Sequence, residues 1–251
     1  MEALETLGLS IQRFRFSETS QIVHFLTKDW GRIVCLVKGA YRPKNNFKGN
    51  IDLMELSRIT FIRQKGSAIY LLRARKLMGN YPTLHQKIDA FAQSCLVTEL
   101  LRHGVQEHQK IPGLFELVLV LLDSLESGKL PHQQVSFFFQ GMFLRLLGYA
   151  LNLDYEAQRQ EPVEEQRFYE YRVEQGPVSV SRSEGPMIFG GSQLLGIAAS
   201  RFDDPAVLRD AGRLLREVIR HHLDGRELKS RKVLLDLHRA RMPAKPSPEA
   251  G

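Results

Sequence analysis

The spacing of apolar positions along this chain changes near Pro82. Before it, apolar and polar residues alternate in short runs. Leu7, Leu9 and Ile11 alternate, Gln21 to Thr27 carries Ile22, Val23, Phe25 and Leu26, and Arg32 to Val37 is rich in β-branched residues. Ile59 and Phe61 alternate within Asp52 to Ile62, and Ile69 and Leu71 within Ala68 to Leu77. A period of two marks half-buried strands. Turn-forming stretches separate the runs: Ser17-Glu18-Thr19-Ser20, Asp29-Trp30-Gly31, Gly39 to Asn50 and Lys65-Gly66-Ser67. Five short strands in about 80 residues fit a small closed barrel, because closure removes exposed strand edges. A five-stranded barrel of the OB type is the natural candidate.

After Pro82 the period becomes helical. Leu84, Ile88, Phe91, Ala92, Cys95, Leu96 and Leu100 recur three and four apart. Pro112 opens a segment, Leu114 to Leu125, that is apolar almost all round and predicts a buried helix. A third helix is predicted from Pro131 to Leu147. Residues 155–189 differ: a polar, acidic start is followed by two predicted strands, Phe168 to Val173 and Val178 to Ser181, joined through Gly176-Pro177. They predict a small β-hairpin insertion. Helices then return. Ser192 is a candidate N-cap, and Asp204-Pro205 places an N-cap aspartate before a proline at the first helical position. The following helix has one apolar face and an arginine stripe, Arg209, Arg213, Arg216 and Arg220. The expected fold is α+β: a barrel domain at 1–80, a helical bundle from 81–154 with 190–240, the insertion at 155–189, and a Pro-rich disordered tail at 241–251.

Charge sharpens this picture. The 251 residues are 43% hydrophobic, enough for a proper core, and carry a net charge of +7. Residues 1–80 hold 14 Lys and Arg against 6 Asp and Glu, residues 81–204 hold 10 against 16, and residues 205–251 hold 11 against 6. Basic ends around an acidic middle favour a polyanionic partner; the ordinary alternative is a solvated charged surface. Met1 to Ser10 contains two glutamates and no apolar stretch of the signal-peptide kind, and the run Leu117 to Leu122 is too short to span a bilayer. A cytoplasmic, nucleoid-associated protein without membrane contact is expected. The two cysteines, Cys35 and Cys95, lack metal-ligand spacing and predict buried free thiols.

Phosphate-loop, dinucleotide and nucleophile-elbow motifs and the paired-histidine zinc helix do not occur, so no catalytic residue, cofactor or metal is expected, and an enzyme is not. His221 and His222 are adjacent, a spacing that points two helical side chains apart and argues against shared chelation. Gly190-Gly191-Ser192 could cradle a phosphate at a helix start, although such a sequence is more often a simple turn and cap. The informative set is N-terminal. Between Gly31 and Gly49 the chain holds Arg32, Lys38, Arg42, Lys44 and Lys48, interleaved with Trp30, Tyr41 and Phe47. Arg13, Arg15, Arg73, Arg75 and Lys76 belong to the same domain. Single-strand binders need cations for phosphates and flat aromatic faces for unstacked bases. The candidate DNA-binding set is therefore Arg13, Arg15, Arg32, Lys38, Tyr41, Arg42, Lys44, Phe47, Lys48, Arg73, Arg75 and Lys76. The competing reading makes Phe47 and Trp30 core or turn residues. A protein-binding scaffold without DNA contact is the alternative function. A nuclease is disfavoured, because Glu18, Asp29, Asp52 and Glu55 form no evident metal cluster.

The same residues carry a family resemblance. Glu18-Thr19-Ser20, Gly31-Arg32, Lys38 to Lys44 and Phe47-Lys48-Gly49 resemble the N-terminal signature of RecO proteins. Leu147-Gly148-Tyr149 and Leu228-Lys229-Ser230-Arg231 are similar to later motifs of that family. The resemblance implies an OB domain, a helical body and a ribbon-like insertion. It implies binding and annealing of single- and double-stranded DNA. It also implies partnership with RecR and, in some lineages, RecF in loading RecA onto DNA coated by single-stranded-DNA-binding protein, whose acidic C-terminal tail is docked. Two departures stand out. Many relatives carry a four-cysteine zinc site in the insertion, whereas residues 152–189 here contain no cysteine; the insertion resembles a degenerate zinc ribbon held by packing alone. Some relatives place tail-docking arginines where this chain has Phe137 and Phe138. Arg145 and the stripe Arg209, Arg213, Arg216 and Arg220 are the substitutes the sequence offers.

Overall fold

The computed structural model describes residues 3–42, 47, 49–63 and 66–241. The alternating N-terminal segment forms β1 (Ala3–Arg15), β2 (Gln21–Thr27), β3 (Gly31–Val37), β4 (Leu56–Arg63) and β5 (Tyr70–Gly79). They close into a barrel in the order β1-β2-β3-β5-β4, with β1 returning to pair with β4. All neighbours are antiparallel except β3 and β5, which run parallel at Cys35 opposite Tyr70 and Leu36 opposite Leu71. Inward residues Val23, Phe25, Ile33, Cys35, Ile59, Phe61 and Leu72 fill the barrel. The Cys35 thiol is free, and burial pushes its pKa well up, so it behaves as a core residue.

The helical body comprises α1 (Pro82–Gln86), α2 (Ile88–Gly104), α3 (Leu114–Ser127) and α4 (His132–Leu146), then after the insertion α5 (Gly191–Ala198), α6 (Pro205–His222) and α7 (Lys229–Arg241). The periodic run after Pro82 is two helices, because Lys87 adopts an extended conformation between them. Glu126 of α3 secures the first: its carboxylate accepts the Thr83 and Leu84 N–H groups at 3.0 and 3.2 Å. α3, the segment expected to be buried all round, lacks that burial. Val120 is 60% exposed while Leu114, Phe115, Val118, Leu121, Leu122 and Leu125 are buried, so α3 presents one face to solvent.

The barrel docks on this body through residues on its outer surface. Leu9, Ile11, Leu26 and Met54 belong to the same apolar cluster as Leu84, Leu100, Leu101 and Val105. Gly31 shows how close the approach is. Its φ is +65°, and a Cβ there would lie 2.3 Å from the Gln109 carbonyl oxygen.

The insertion is a three-stranded sheet in place of the expected hairpin. β6 (Phe168–Arg172) lies between β7 (Gly176–Val180) and β8 (Ile188–Gly190). β8 is too short to show alternation in sequence; its pairing of Phe189 opposite Tyr169 is a tertiary contact. Packing has help in holding this segment. The buried Glu156 carboxylate accepts the N–H groups of Gln158 at 2.9 Å and Ser179 at 3.3 Å, and that of Arg159. Burial alone would raise its pKa; these bonds outweigh it and keep the group ionised below the usual carboxylate range.

The two helix starts named from sequence diverge. Asp204 caps α6, its Oδ1 accepting from Ala206 N at 2.7 Å and Val207 N at 3.4 Å. Ser192 does not cap α5. Gly190 occupies the cap position, and the Gly191 and Ser192 N–H groups donate to the Arg167 and Glu165 carbonyls. The phosphate-cradle reading fails for the same reason, since those donors are already satisfied. Residues 242–251, the expected disordered tail, lie outside the described residues.

Candidate nucleic-acid interface

Strand register decides which basic residues share a surface. The second half of β1, the start of β2, the end of β3, the start of β4 and the second half of β5 meet at one end of the barrel: Arg15 pairs with Gln21, Gln21 with Val37, Leu9 with Leu56, and Leu56 with Gly79. Arg13, Arg15, Lys38, Tyr41, Arg42, Arg73 and Lys76 all project from strand segments or loops at this end. The loop after β3 is tied to the β1–β2 turn by a 3.1 Å bond from Tyr41 N to the Thr19 carbonyl. The Arg15 guanidinium consequently lies 5.5 Å from the Tyr41 ring centre. Arg13 is an exposed residue bonded to Asp52 at 3.0 Å, a pair that solvent screens and a phosphate could displace.

Aromatic surface comes from residues the sequence reading passed over. Phe14 and Phe16 are 48% and 60% exposed at the tip of β1, with the Phe14 ring edge-on to His24 at 5.7 Å. The signal was present in the alternation Arg13-Phe14-Arg15-Phe16. In a strand whose two faces both meet solvent, such alternation sets cations on one face and rings on the other.

Three other members of the predicted set are placed differently. Phe47 is 7% exposed and packs in the barrel core, so it offers no stacking face. Arg75 is turned inward. Its guanidinium bonds Glu55 at 2.5 Å and the Ser57 hydroxyl at 3.1 Å, and the side chain is 4% exposed. Burial nevertheless raises the Glu55 pKa by more than the Arg75 charge lowers it. Arg32 sits at the start of β3, at the opposite end of the barrel, and is engaged by the helical body: it donates to the Val105 carbonyl at 3.0 Å and approaches Glu107 at 3.9 Å. Trp30 also belongs to that opposite end, edge-on to Phe61 at 6.4 Å. Lys44 and Lys48 lie outside the described residues.

A second basic surface lies on the helical body. Between the α3–α4 loop, α2, α6 and α7 is a groove of about 900 Å³. Leu96, Leu130, Phe137 and Leu234 give it apolar lining, and Lys87, Lys129, Arg209, Arg213, Arg216 and Arg231 give it charge, with Asp89 among them. Gly212 lets Phe137 approach α6, since a Cβ there would sit 2.9 Å from the ring tip. The groove contains orphaned polar atoms. Among the described residues, Gln140 Oε1 and Arg213 Nε are buried without a hydrogen-bond partner. Arg231 donates to the Gly212 carbonyl at 3.0 Å, and burial, with Arg216 nearby, pulls its pKa down to about 10.

The arginine stripe therefore divides. Arg209 and Arg216 reach the groove from exposed positions. Arg213 lines it but also anchors the insertion, donating to the Gly185 and Ile188 carbonyls at 3.1 and 2.7 Å and lying 4.3 Å from the Phe189 ring centre. Arg220 pairs with Glu217 at 2.6 Å and does not line the groove; nor does Arg145. Of the two phenylalanines, Phe137 faces the groove and Phe138 is 48% exposed outside it.

The Leu228-Lys229-Ser230-Arg231 motif has a structural role as well. Leu228 is buried, and Glu99 of α2 accepts from Lys229 N at 3.1 Å, Ser230 N at 2.8 Å and the Ser230 hydroxyl at 2.6 Å. A glutamate from another helix thus caps α7 and sets Arg231 against the groove.

A closed barrel with a cationic, aromatic end, joined to a helical body that carries a basic groove, defines a candidate class of polyanion-binding proteins. Comparison with known families makes the assignment specific. The family model described as "Recombination protein O N terminal" matches residues 1–81, and "Recombination protein O C terminal" matches residues 85–232. The chain is 31% identical over 231 residues to the DNA repair protein RecO of Dechloromonas aromatica, covering 90% of this chain and 93% of the relative. It is 30% identical over 228 residues to that of Aromatoleum aromaticum, with 90% and 93% covered, and 31% identical over 228 residues to that of Nitrosococcus oceani, with 89% of each covered. The chain belongs to the RecO family of DNA repair and recombination proteins. No helix among the described residues is long and apolar enough to cross a membrane.

Proposed function

We propose that this protein is a DNA-binding, strand-annealing recombination mediator whose OB-type barrel, residues 1–80, grips DNA with its cationic end. The observation that carries this reading is the register that gathers Arg13, Arg15, Lys38, Arg42, Arg73 and Lys76 at the same end of the barrel as exposed Phe14 and Phe16. Cations neutralise phosphates and release counterions, while rings hold unstacked bases. Neutralising two strands on one surface lowers their mutual repulsion and speeds pairing. Neither step requires bond chemistry or nucleotide hydrolysis. The helical body at 81–154 and 190–240 and the insertion at 155–189 act as separate units in this scheme, in a cytoplasmic, nucleoid-associated protein.

The groove on the helical body suits an acidic peptide with an apolar end: the tail of single-stranded-DNA-binding protein. Six cations surround its apolar lining. Holding that tail would bring the barrel to coated DNA, where the protein would act with RecR, and in some lineages RecF, to load RecA.

The test mixes complementary strands, bare or coated with single-stranded-DNA-binding protein, and follows annealing as the protein is added. Acceleration in both cases is expected. Removing the coating protein's acidic tail should abolish acceleration on coated strands and leave that on bare strands intact. If the protein has no affinity for an oligonucleotide even at low salt, the mediator reading fails and a protein-binding scaffold takes its place.

A further inference from the structure

Away from both basic surfaces, the end of α6 meets the β6–β7 turn. Glu174, His221 and His222 each present a ligand atom there, and the three atoms lie within 4.8 Å of one another. Sequence spacing argued that the two histidines diverge. In the structure their ring centres are 5.1 Å apart at 87°, and each is set by a different partner. His221 Nε2 is 3.1 Å from Glu174 Oε1. The His222 ring stacks on Tyr149 at 3.8 Å and 14°, which limits its rotation. Glu174 comes from outside the helix, on a turn residue with φ of +71°, a conformation unusual for glutamate. Among the described residues this is the one group of three potential metal ligands.

We infer that Glu174, His221 and His222 form a surface site for a divalent transition ion of the Zn²⁺ class. Two imidazoles and one carboxylate are the donor set that zinc, nickel and copper accept and that hard ions such as Mg²⁺ do not prefer. A tetrahedral ion with bonds of about 2.0–2.2 Å needs donor atoms roughly 3.3–3.5 Å apart. The His221–Glu174 separation is already close to this, and the remaining adjustment is a side-chain rotation at an exposed site. The ion would sit at the C-terminal end of α6, where the helix dipole favours positive charge. A cavity of about 310 Å³ beside the cluster, lined by Tyr149, Asn152, Tyr171, Glu174 and His222, leaves the fourth coordination position open to water. Bound there, the ion links the β6–β7 turn to α6 and restrains the insertion.

The experiment uses the full-length, tag-free protein and metal chloride alone. Titration with ZnCl₂ against a chromogenic chelator should give one high-affinity Zn²⁺ per chain. Co²⁺ as a stand-in should develop the visible absorption of a four-coordinate ion. His221→Ala with Glu174→Gln should weaken Zn²⁺ binding at least ~10-fold and erase the cobalt spectrum. Both side chains are largely exposed, so the variant should fold as the parent does, and far-UV circular dichroism checks this. A His132→Ala variant should bind as the parent does. No uptake by the parent protein, or uptake unchanged in the double variant, overturns the site. DNA annealing plays no part in these readouts, so they test the metal site separately from the mediator reading.

Discussion

Replacing Lys38, Arg73 and Lys76 together with alanine tests the cationic end most directly. All three are exposed, and the described residues give none of them an ion pair. Their removal should leave the fold intact. If each holds one phosphate, three contacts are lost. On single strands each contact contributes about 0.7 to the slope of log K against log salt, so the slope should flatten by roughly 2. If the salt-independent part of binding is unchanged, affinity at 0.1 M salt should fall on the order of 100-fold. The assay is fluorescence anisotropy of a labelled oligonucleotide across a salt series. Arg75→Ala is the informative control, because it removes the same charge from the same strand. Its half-buried partner Glu55 would keep only the Asp52 N–H, so the protein should lose about 1–3 kcal/mol of stability while the remaining folded fraction keeps the parental slope. A triple variant whose slope stays within one contact of the parent, or an Arg75 variant that flattens the slope as much, would refute the assignment.

Other outcomes follow from named contacts. Phe14→Ala with Phe16→Ala should weaken single-strand binding by about 1–3 kcal/mol for each base that loses its stacking partner, with no change in salt slope; titration at several salt concentrations separates this from charge loss. Phe47→Ala should instead destabilise the fold by about 3–5 kcal/mol, read by chemical denaturation, since the ring fills the barrel core. Arg209→Ala with Arg216→Ala should weaken binding of an acidic peptide with an apolar end, whereas Arg145→Ala should not; peptide isotherms that show the reverse would move the docking site. Glu99→Gln should weaken the α7 cap and lower stability by about 1 kcal/mol at neutral pH. Burial alone would raise the Glu99 pKa, but the bonds from Ser230 and Lys229, with Arg102 beside it, hold it below its ordinary 4.5. Its contribution is therefore complete above pH 4.5 and lost as pH falls through the depressed value, so parent and variant should converge in acid.

Alternation of apolar residues and the turn chemistry between them were enough to find the five N-terminal strands, and Asp204-Pro205 marked the start of α6. These are local signals: backbone preference and side-chain period act within a few residues, so the sequence carries them openly. Residue type also showed that basic charge is concentrated in the barrel segment. It could not say which cations face water. Arg73 and Arg75 are two positions apart, yet one is exposed and the other is locked to Glu55, because a register shift opposite Thr60 and Phe61 leaves Arg73 unpaired in β5 while Arg75 pairs with inward Ile59. Arg32 looked like part of the same set until the helical body covered it. The groove among α2, α4, α6 and α7, the capping of α7 by Glu99, and the meeting of Glu174 with His221 and His222 join residues far apart in the chain. Sequence alone determined the period and sign of each segment. Only tertiary packing decided which side chains share a surface, because those distances depend on how elements dock, and no local preference encodes them.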